Sequence, residues 1–297
     1  MQKLIAVFLI PLFACFSCVH AEKKEIKSSE IIKLLAKGEP VQISDKIILD
    51  DLDFTQGAKP FLANAGVLQA DIQSNIFFNN CVFMGKVTSN GTLHSTKATS
   101  NGARHSTSVQ TNFKNNLVFR DCDFRGEVNF DKAVVFGTVN FNKSIFRENA
   151  NFNNMAVWAK DSYFVEMKAE KNFTMIYSSF LGNISFLNAV FEENLSLQES
   201  SIKGKFVFNN AVAKARTDFA MMTIDDRSFF NYATFEGNVD FSNARFFHNV
   251  DFVNTTFKKN SEFEKTYFAI SVRCEGVQSE KELNFAKAYL GIEHKKQ

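Results

Sequence analysis

The sequence has no excess of either charge and lacks the motifs that mark a chemical site. Its 34 basic and 32 acidic residues leave a formal net charge of +2. Such a balance gives no long-range field for nucleic acid or an anionic surface, and it argues against an acidic protein that imitates DNA. A nucleophile elbow, a phosphate-binding loop and paired zinc ligands are also missing. We therefore expect a protein that is not an enzyme and that has no cofactor and no metal ion.

Long apolar runs are missing outside the N-terminus. Lys3 precedes the run Leu4–Phe16, and Val19-His20-Ala21 resembles a small-x-small cleavage site before Glu22. The run is too short to span a bilayer as a mature helix. We interpret residues 1–21 as a secretory signal peptide. This predicts an exported protein, periplasmic or secreted, with no membrane span.

A lipoprotein signal is the alternative, and it would attach the chain to a membrane through a lipid on Cys15 or Cys18. Neither cysteine follows a good lipobox. Phe13 is bulky, and Cys15 occupies the place where Leu is usual if Cys18 is the anchor. We favour the signal peptide and keep the lipid anchor as the alternative.

Phenylalanine is abundant, with 35 residues against one Trp and three Pro. It recurs at alternating spacings of five and six, so that two interleaved series each step by 11. One series contains Phe186, Leu197, Phe208, Phe219, Phe230, Phe241, Phe252 and Phe263. The other contains Phe180, Phe191, Ile202, Ala213, Ile224, Phe235, Phe246, Phe257 and Phe268. Most residues two positions before the second series are small, and a spacing of two puts both members of a pair on one side of an extended segment. The period of 3.6 of a helix does not fit.

Tight corners are expected between these short extended pairs. An Asn-rich column that includes Asn183, Asn194 and Asn238 lies between them, and Gly182 and Gly237 stand just before it. Asn and Gly tolerate the left-handed backbone conformation. We therefore expect that conformation in this column.

The pairs and corners together resemble the pentapeptide-repeat family, in a Phe-rich variant with alternating five and six spacing. The residues that carry the resemblance are Val128-Asn-Phe130-Asp-Lys-Ala133 and Asn238-Val-Asp-Phe241-Ser-Asn-Ala244-Arg-Phe246. The resemblance implies an all-β fold, a right-handed quadrilateral β-helix in which two 11-residue units make one coil. It does not specify a function, because the family has many.

Short helical caps are predicted at both ends, over Ser28–Lys37 and Ser279–His294, because both segments are amphipathic at helical spacing. The predicted organisation, from the N-terminus, is a signal peptide (1–21), an N-terminal helical cap (22–45), the first β-helix coils (46–87), a polar tandem-repeat loop (88–112), the main β-helix (113–270) and a C-terminal helical cap (271–297).

The polar interruption consists of two similar 11-residue segments, 88–98 and 99–109, which contain no Phe. Because they are rich in Ser and Thr, they cannot fill a core. We expect a mobile loop, and a degenerate outer coil is the alternative.

Three cysteines remain after the predicted cleavage, Cys81, Cys122 and Cys274, which is few for a disulfide-stapled domain. The segments 75–87 and 116–128 align without gaps, so Cys81 and Cys122 hold equivalent positions. A bridge between them requires the same face in neighbouring coils, and the interruption hides that register. We expect small buried thiols rather than a disulfide.

The repeat slips by one residue between Phe152 and Phe186, and this window contains Trp158, Tyr163 and Tyr177. A phase shift in a solenoid makes a bulge or bend, where exposed aromatic residues would contact a partner. The simpler interpretation, which the sequence favours, is that Trp158 fills a widened corner.

The function predicted from the sequence is an exported, non-catalytic structural or protein-interaction module with an unknown protein partner and no nucleic acid. Two alternatives are a protein that acts on a topoisomerase by imitating DNA, as some members of the family do, and an enzyme with an unrecognised site. The export signal and the balanced charge disfavour the first, and no motif supports the second.

Overall fold

The chain winds into a four-sided β-solenoid of about 11 turns. This computed structural model describes residues 23–64, 67–98, 104–281, 283, 285 and 287–291. The predicted signal peptide and both candidate anchor cysteines lie outside the described residues. Each coil passes in turn through sheets B, A, C and D, and each strand pairs in parallel with the equivalent strand of the coils on either side.

Three of the four sheets, A, B and C, contain parallel strands only. Sheet A consists of Lys24–Ile26, Lys46–Ile48, Val82–Phe83, Asp123–Phe124, Ile145–Phe146, Lys168–Ala169, Val190–Phe191, Val212–Ala213, Thr234–Phe235, Thr256–Phe257 and Gln278–Ser279. Sheet B consists of Val41–Ser44, Ile76–Asn79, Leu117–Arg120, Val139–Asn140, Asp161–Tyr163, Asn183–Ser185, Phe206–Val207, Ser228–Phe229, Val250–Asp251 and Val272–Arg273.

Sheets C and D complete the coil, and sheet D also contains two hairpins. Sheet C consists of Leu52–Asp53, Val87–Thr88, Val128–Asn129, Ala150–Asn151, Phe173–Thr174, Leu195–Ser196, Thr217–Asp218, Val239–Asp240 and Ser261–Glu262. Sheet D consists of Phe61–Asn64, Val67–Ile72, Asn90–Ala98, Arg104–Phe113, Val134–Val135, Ala156–Val157, Ser179–Phe180, Ser201–Ile202, Thr223–Ile224, Arg245–Phe246, Tyr267–Phe268 and Tyr289–Leu290.

Phenylalanine rings fill the interior, as the repeat predicts. Phe119, Phe141 and Phe164, in three successive coils, stack face to face with centroid distances of 5.1 and 5.4 Å. Neighbouring ladders meet edge to face, as Phe141 and Phe152 do at an interplanar angle of 76°. All four rings are fully buried. Such offset and T-shaped contacts are the favoured geometries of aromatic pairs.

The small residues that precede the second Phe series also lie inside, and their hydroxyls are satisfied there. Ser178 Oγ donates a hydrogen bond to the carbonyl of Phe152 at 2.7 Å. Thr255 Oγ1 donates in the same way to the carbonyl of Phe230 at 2.7 Å. A buried hydroxyl is tolerated when it has such a partner.

The left-handed conformation occurs at a different column from the one expected. It is found at Asn188, Asn210 and Asn254, two residues after a buried ring, whereas Gly182 and Gly237 have no positive φ. At these two glycines the backbone lies very close to the preceding coil, and a Cβ there would overlap a carbonyl of that coil.

The N-terminal helix is confirmed, as α1 over Ser28–Ala36. Ile31 and Leu35 of α1 are buried in the core cluster, and a short 3-10 helix over Phe54–Gly57 packs beside it. The strands Lys24–Ile26 and Val41–Ser44 flank α1 and already belong to sheets A and B. The solenoid therefore begins within the segment predicted to be a cap.

The predicted C-terminal helix over Ser279–His294 is wrong for the described part of that segment. Gln278–Ser279 and Tyr289–Leu290 are strands of sheets A and D. The ring of Phe285 lies 4.7 Å from the ring of Phe263 in the preceding coil. The apolar residues of this segment fit a helical period, but they also continue the repeat of the solenoid. As strands, they pair with the preceding coil and cover the open edge of that coil.

The polar interruption is a β-hairpin, so the prediction of a loop is wrong. Asn90–Ala98 pairs antiparallel with Arg104–Phe113, and the end of the second strand pairs in parallel with Val67–Ile72. Phe61–Asn64 and Val67–Ile72 form a second hairpin beside it. Polar strands suffice here because hairpin pairing satisfies the backbone without filling a core. Both hairpins widen the N-terminal end of sheet D.

Candidate functional site: the outer face of sheet D

The extra residue of the repeat lies at the corner between sheets D and B. Four positions separate Val135 from Val139, whereas five separate their partners in the next coil, Val157 and Ser162. The insertion therefore falls within residues 158–161, which confirms the predicted window and narrows it to one corner.

Trp158 begins this corner and points outward. It is 57% exposed, and its ring stacks on the ring of Phe136 at a centroid distance of 6.2 Å and an interplanar angle of 13°. Lys114 Nζ lies 4.7 Å from the centroid of Phe136 on the same corner. The interpretation that Trp158 fills a widened corner is therefore wrong.

The same corner continues into a shallow apolar groove. Leu181, one coil beyond Trp158, is 56% exposed. A groove of 160 Å³ opens between Trp158, Leu181 and Lys203, and its floor is formed by the small residues Ser179 and Ser201. The strip of Phe136, Trp158 and Leu181 thus lies between two lysines, each of which is already paired, Lys114 with Asp71 at 3.1 Å and Lys203 with Asp225 at 2.8 Å.

Exposed apolar side chains are concentrated on this face of the solenoid. Among the described residues, 13 large hydrophobic side chains are exposed, and ten of them belong to sheet D or to its two corners. We call these ten residues the sheet D face. They are Phe61, Leu62, Phe136, Trp158, Tyr177, Leu181, Met221, Phe247, Tyr289 and Leu290. Exposed apolar residues scattered at random would be shared among all four faces.

A second groove of 430 Å³ lies near the C-terminal end of the same sheet. Its walls include Phe247 and Tyr267, whose rings meet at 5.9 Å and 62°, and Tyr289. Arg245 and Lys265 border the groove, and neither makes an ion pair with a described residue. The groove thus combines aromatic walls with two cations.

Sheet A has a contrasting corner that consists of mutually paired charges. Arg147 bridges Asp123 at 2.6 Å and Glu170 at 3.5 Å, and Glu192 pairs with Lys214 at 2.8 Å. The hydrogen bond from Lys214 holds the pKa of Glu192 below its usual value. Such a ladder is a solvated surface with its charges already matched. The apolar character of sheet D is therefore not a general property of the corners.

The three aromatic residues singled out in the sequence do not form one patch. Trp158 and Tyr177 border sheet D at opposite corners, whereas Tyr163 lies on the outer side of sheet B and is only partly exposed. Burial, followed by the nearby Asp161, raises the pKa of Tyr163. A hydrogen bond to Glu199 raises the pKa of Tyr177, which is 57% exposed.

Sequence reasoning missed Phe136, Leu181 and Phe247, although a signal was present. Phe136 precedes Trp158 by 22 residues, and Leu181 follows it by 23 because of the insertion. Stepping through the outer positions with the coil period would have aligned these residues in one column.

The described residues contain no group of three or more His, Cys, Asp or Glu side chains arranged to hold a metal ion. Among those same residues, no helix is both long and apolar enough to cross a bilayer.

Residues 109–156 match the family model described as pentapeptide repeats (9 copies). This match confirms the resemblance to the pentapeptide-repeat family, and the coil geometry of the matched segment continues to residue 291. No curated protein matches the chain.

Proposed function

We propose that this pentapeptide-repeat protein is an exported, non-catalytic module that binds a protein partner through the sheet D face. Its solenoid is a structural or interaction module. The observation that carries the proposal is the concentration of ten of the 13 exposed large hydrophobic side chains on one face. A concentration of exposed apolar side chains on one face of a protein marks an interaction site, and aromatic residues contribute most of the binding energy there.

The chemistry of the face favours a partner with an apolar surface and an acidic rim. Arg245 and Lys265 border the groove of Phe247, Tyr267 and Tyr289 and make no ion pair with a described residue, whereas Lys114 and Lys203 pair with Asp71 and Asp225. Cations around an apolar centre orient an approaching partner through charge complementarity. A nucleic acid would instead require a continuous basic stripe, and the +2 net charge does not supply one.

Export is supported by the N-terminal sequence alone. The apolar run Leu4–Phe16 after Lys3, with a small-x-small site ending at Ala21, is typical of a secretory signal. The partner would then be found in the envelope or outside the cell.

Affinity capture from the envelope fraction of the native host tests the proposal. The bait is the wild-type protein, the variant Phe136→Ser/Leu181→Ser, or the control Leu49→Ser/Met84→Ser. The control removes two side chains beside sheet A whose exposure is similar. Leu49 and Met84 are 41% and 42% exposed, and Phe136 and Leu181 are 45% and 56% exposed. We expect one partner with the wild type and the control, and at least about a tenfold loss with the sheet D variant. Equal recovery by all three proteins would contradict the proposal.

A further inference from the structure

Cys81 and Cys122 lie side by side in neighbouring coils. Each immediately precedes a strand of sheet A, and those strands pair with Val82 opposite Asp123. The carbonyl of Cys81 accepts a hydrogen bond from Asp123 N at 2.8 Å. In-register parallel strands are about 4.8 Å apart. This spacing lies within the range of Cα separations that a disulfide spans.

The two thiols are buried and have the same orientation. Cys81 is 0% exposed and Cys122 is 1% exposed. Cys81 Sγ donates to the carbonyl of Asn79 at 3.4 Å, and Cys122 Sγ donates to the carbonyl of Arg120 at 3.2 Å. Rotation about the Cα–Cβ bonds would bring the sulfur atoms together at the loss of weak hydrogen bonds to the backbone carbonyls of Asn79, Arg120 and Ile43.

The two sulfur atoms also interact with each other. When the S–H of Cys122 turns from the carbonyl of Arg120 to Cys81, its hydrogen bond lowers the pKa of Cys81 to about 7, whereas burial raises the pKa of Cys122. The Cys81 thiolate is therefore the nucleophile of the pair at neutral pH.

We propose that Cys81 and Cys122 form a disulfide that links two neighbouring coils when the chain folds in the presence of a disulfide oxidant. The Cys81 thiolate attacks a small-molecule disulfide such as oxidised glutathione and releases one glutathione thiolate. Cys122 then loses its proton and attacks Cys81 Sγ, and the second glutathione thiolate leaves. The two protein thiols are thus oxidised to one disulfide, and one glutathione disulfide is reduced to two thiols.

The position of the pair gives the bond a structural role. From Asp123 onward, paired strands of neighbouring coils are 22 or 23 residues apart, but Val82 and Asp123 are separated by 41 because the hairpin of Asn90–Ala98 and Arg104–Phe113 is inserted between them. The preceding step, from Ile47 to Val82, is 35 residues long because it contains the other hairpin. A longer insertion makes it harder for the next coil to find its register. The disulfide closes this long loop, which ends beside Lys114 of the apolar strip.

Cys274 provides an internal control. It is partly buried, and burial raises its pKa to about 11. Cys274 follows the strand Val272–Arg273 of sheet B, in a coil near the C-terminal end. We expect it to remain a free thiol under the conditions that link the pair.

The test is refolding of the denatured, purified protein with oxidised and reduced glutathione, followed by alkylation and non-reducing peptide mapping by mass spectrometry. We expect a linked Cys81–Cys122 peptide and an alkylated Cys274. The linked protein should melt on the order of 5–10 °C above the reduced protein. The variant Cys122→Ala should melt like the reduced wild type in either buffer. Alanine is suitable here because it already occupies the equivalent position of two other coils, at Ala189 and Ala211. Alkylation of both Cys81 and Cys122 after oxidative refolding would overturn the proposal, as would equal melting temperatures of the two redox forms.

Discussion

Phe136 and Trp158 stack outside the solenoid at 6.2 Å and 13°, in the arrangement that Phe119 and Phe141 adopt inside it at 5.1 Å and 12°. The same coil register aligns both pairs, because in each pair the partners are 22 residues apart. The inner pair is fully buried, whereas Trp158 is 57% exposed. The outer stack therefore contributes little to the core and leaves a large aromatic surface available for binding.

Replacing Trp158 with Ala should reduce binding far more than stability. Because most of the indole is exposed, we expect the free energy of unfolding to fall by about 1 kcal/mol or less. Partner recovery in affinity capture should fall at least about tenfold, as expected for an interface tryptophan. A large loss of stability with unchanged recovery would show that Trp158 has a structural role only.

The variant Tyr177→Asn should increase stability and decrease binding. Tyr177 has a φ of 58°, a conformation that Asn tolerates better than an aromatic residue, and Asn154 and Asn243 already occupy this column. We expect the free energy of unfolding to rise by roughly 0.5 kcal/mol. Tyr232→Asn is the matched control, because Tyr232 has a φ of 59° and 60% exposure but lies at a corner next to sheet A. The control should raise stability equally, and a loss of binding in both variants would contradict a role of sheet D.

The inner ladders should carry the stability of the fold. Phe241 is fully buried and stacks on Phe219 and Phe263 at 5.1 and 5.0 Å. Phe241→Ala should lower the free energy of unfolding by about 3–5 kcal/mol, measured by denaturant titration. Phe241→Leu should lower it by less than about 1.5 kcal/mol, because Leu197 fills the equivalent position of another coil. Similar losses for both variants would argue against tight stacking.

Most of the architecture could be predicted because the buried positions repeat with a fixed step. The Phe series indicated short extended pairs joined by corners and located the insertion in the window that contains Trp158, whereas the four-sided coil followed from the family resemblance. The C-terminal end was mistaken because Phe285 and Leu290 satisfy a helical period and the repeat at once. The hairpin was missed because polarity was interpreted as disorder, although Asn101-Gly102, a typical hairpin turn signal, stands between its two strands.

The binding face was harder to predict, because outward residues do not have to repeat. In the column of Phe136, Trp158 and Leu181, the next two coils place Lys203 and Asp225. Only the three-dimensional register shows that Met221, at the other corner of sheet D, lies on the same face as Trp158. How far apart the residues at the two corners of sheet D lie can likewise be read only from the structure.

The mature N-terminus should begin at Glu22 if the signal peptide is removed as predicted. Intact mass and N-terminal peptide mapping of the protein from its native host will show this directly. A lipid-modified Cys15 or Cys18 at the N-terminus would contradict soluble export and indicate membrane attachment. An uncleaved N-terminus would contradict both.

Site-specific photo-crosslinking in the native host tests the role of the sheet D face most directly. A photoreactive phenylalanine analogue replaces Leu181 in one strain and Tyr232 in the other, two residues with 56% and 60% exposure on different faces. We expect a covalent adduct with one protein partner from position 181 and none from position 232. Adducts of equal yield from both positions, or an adduct from position 232 alone, would contradict it.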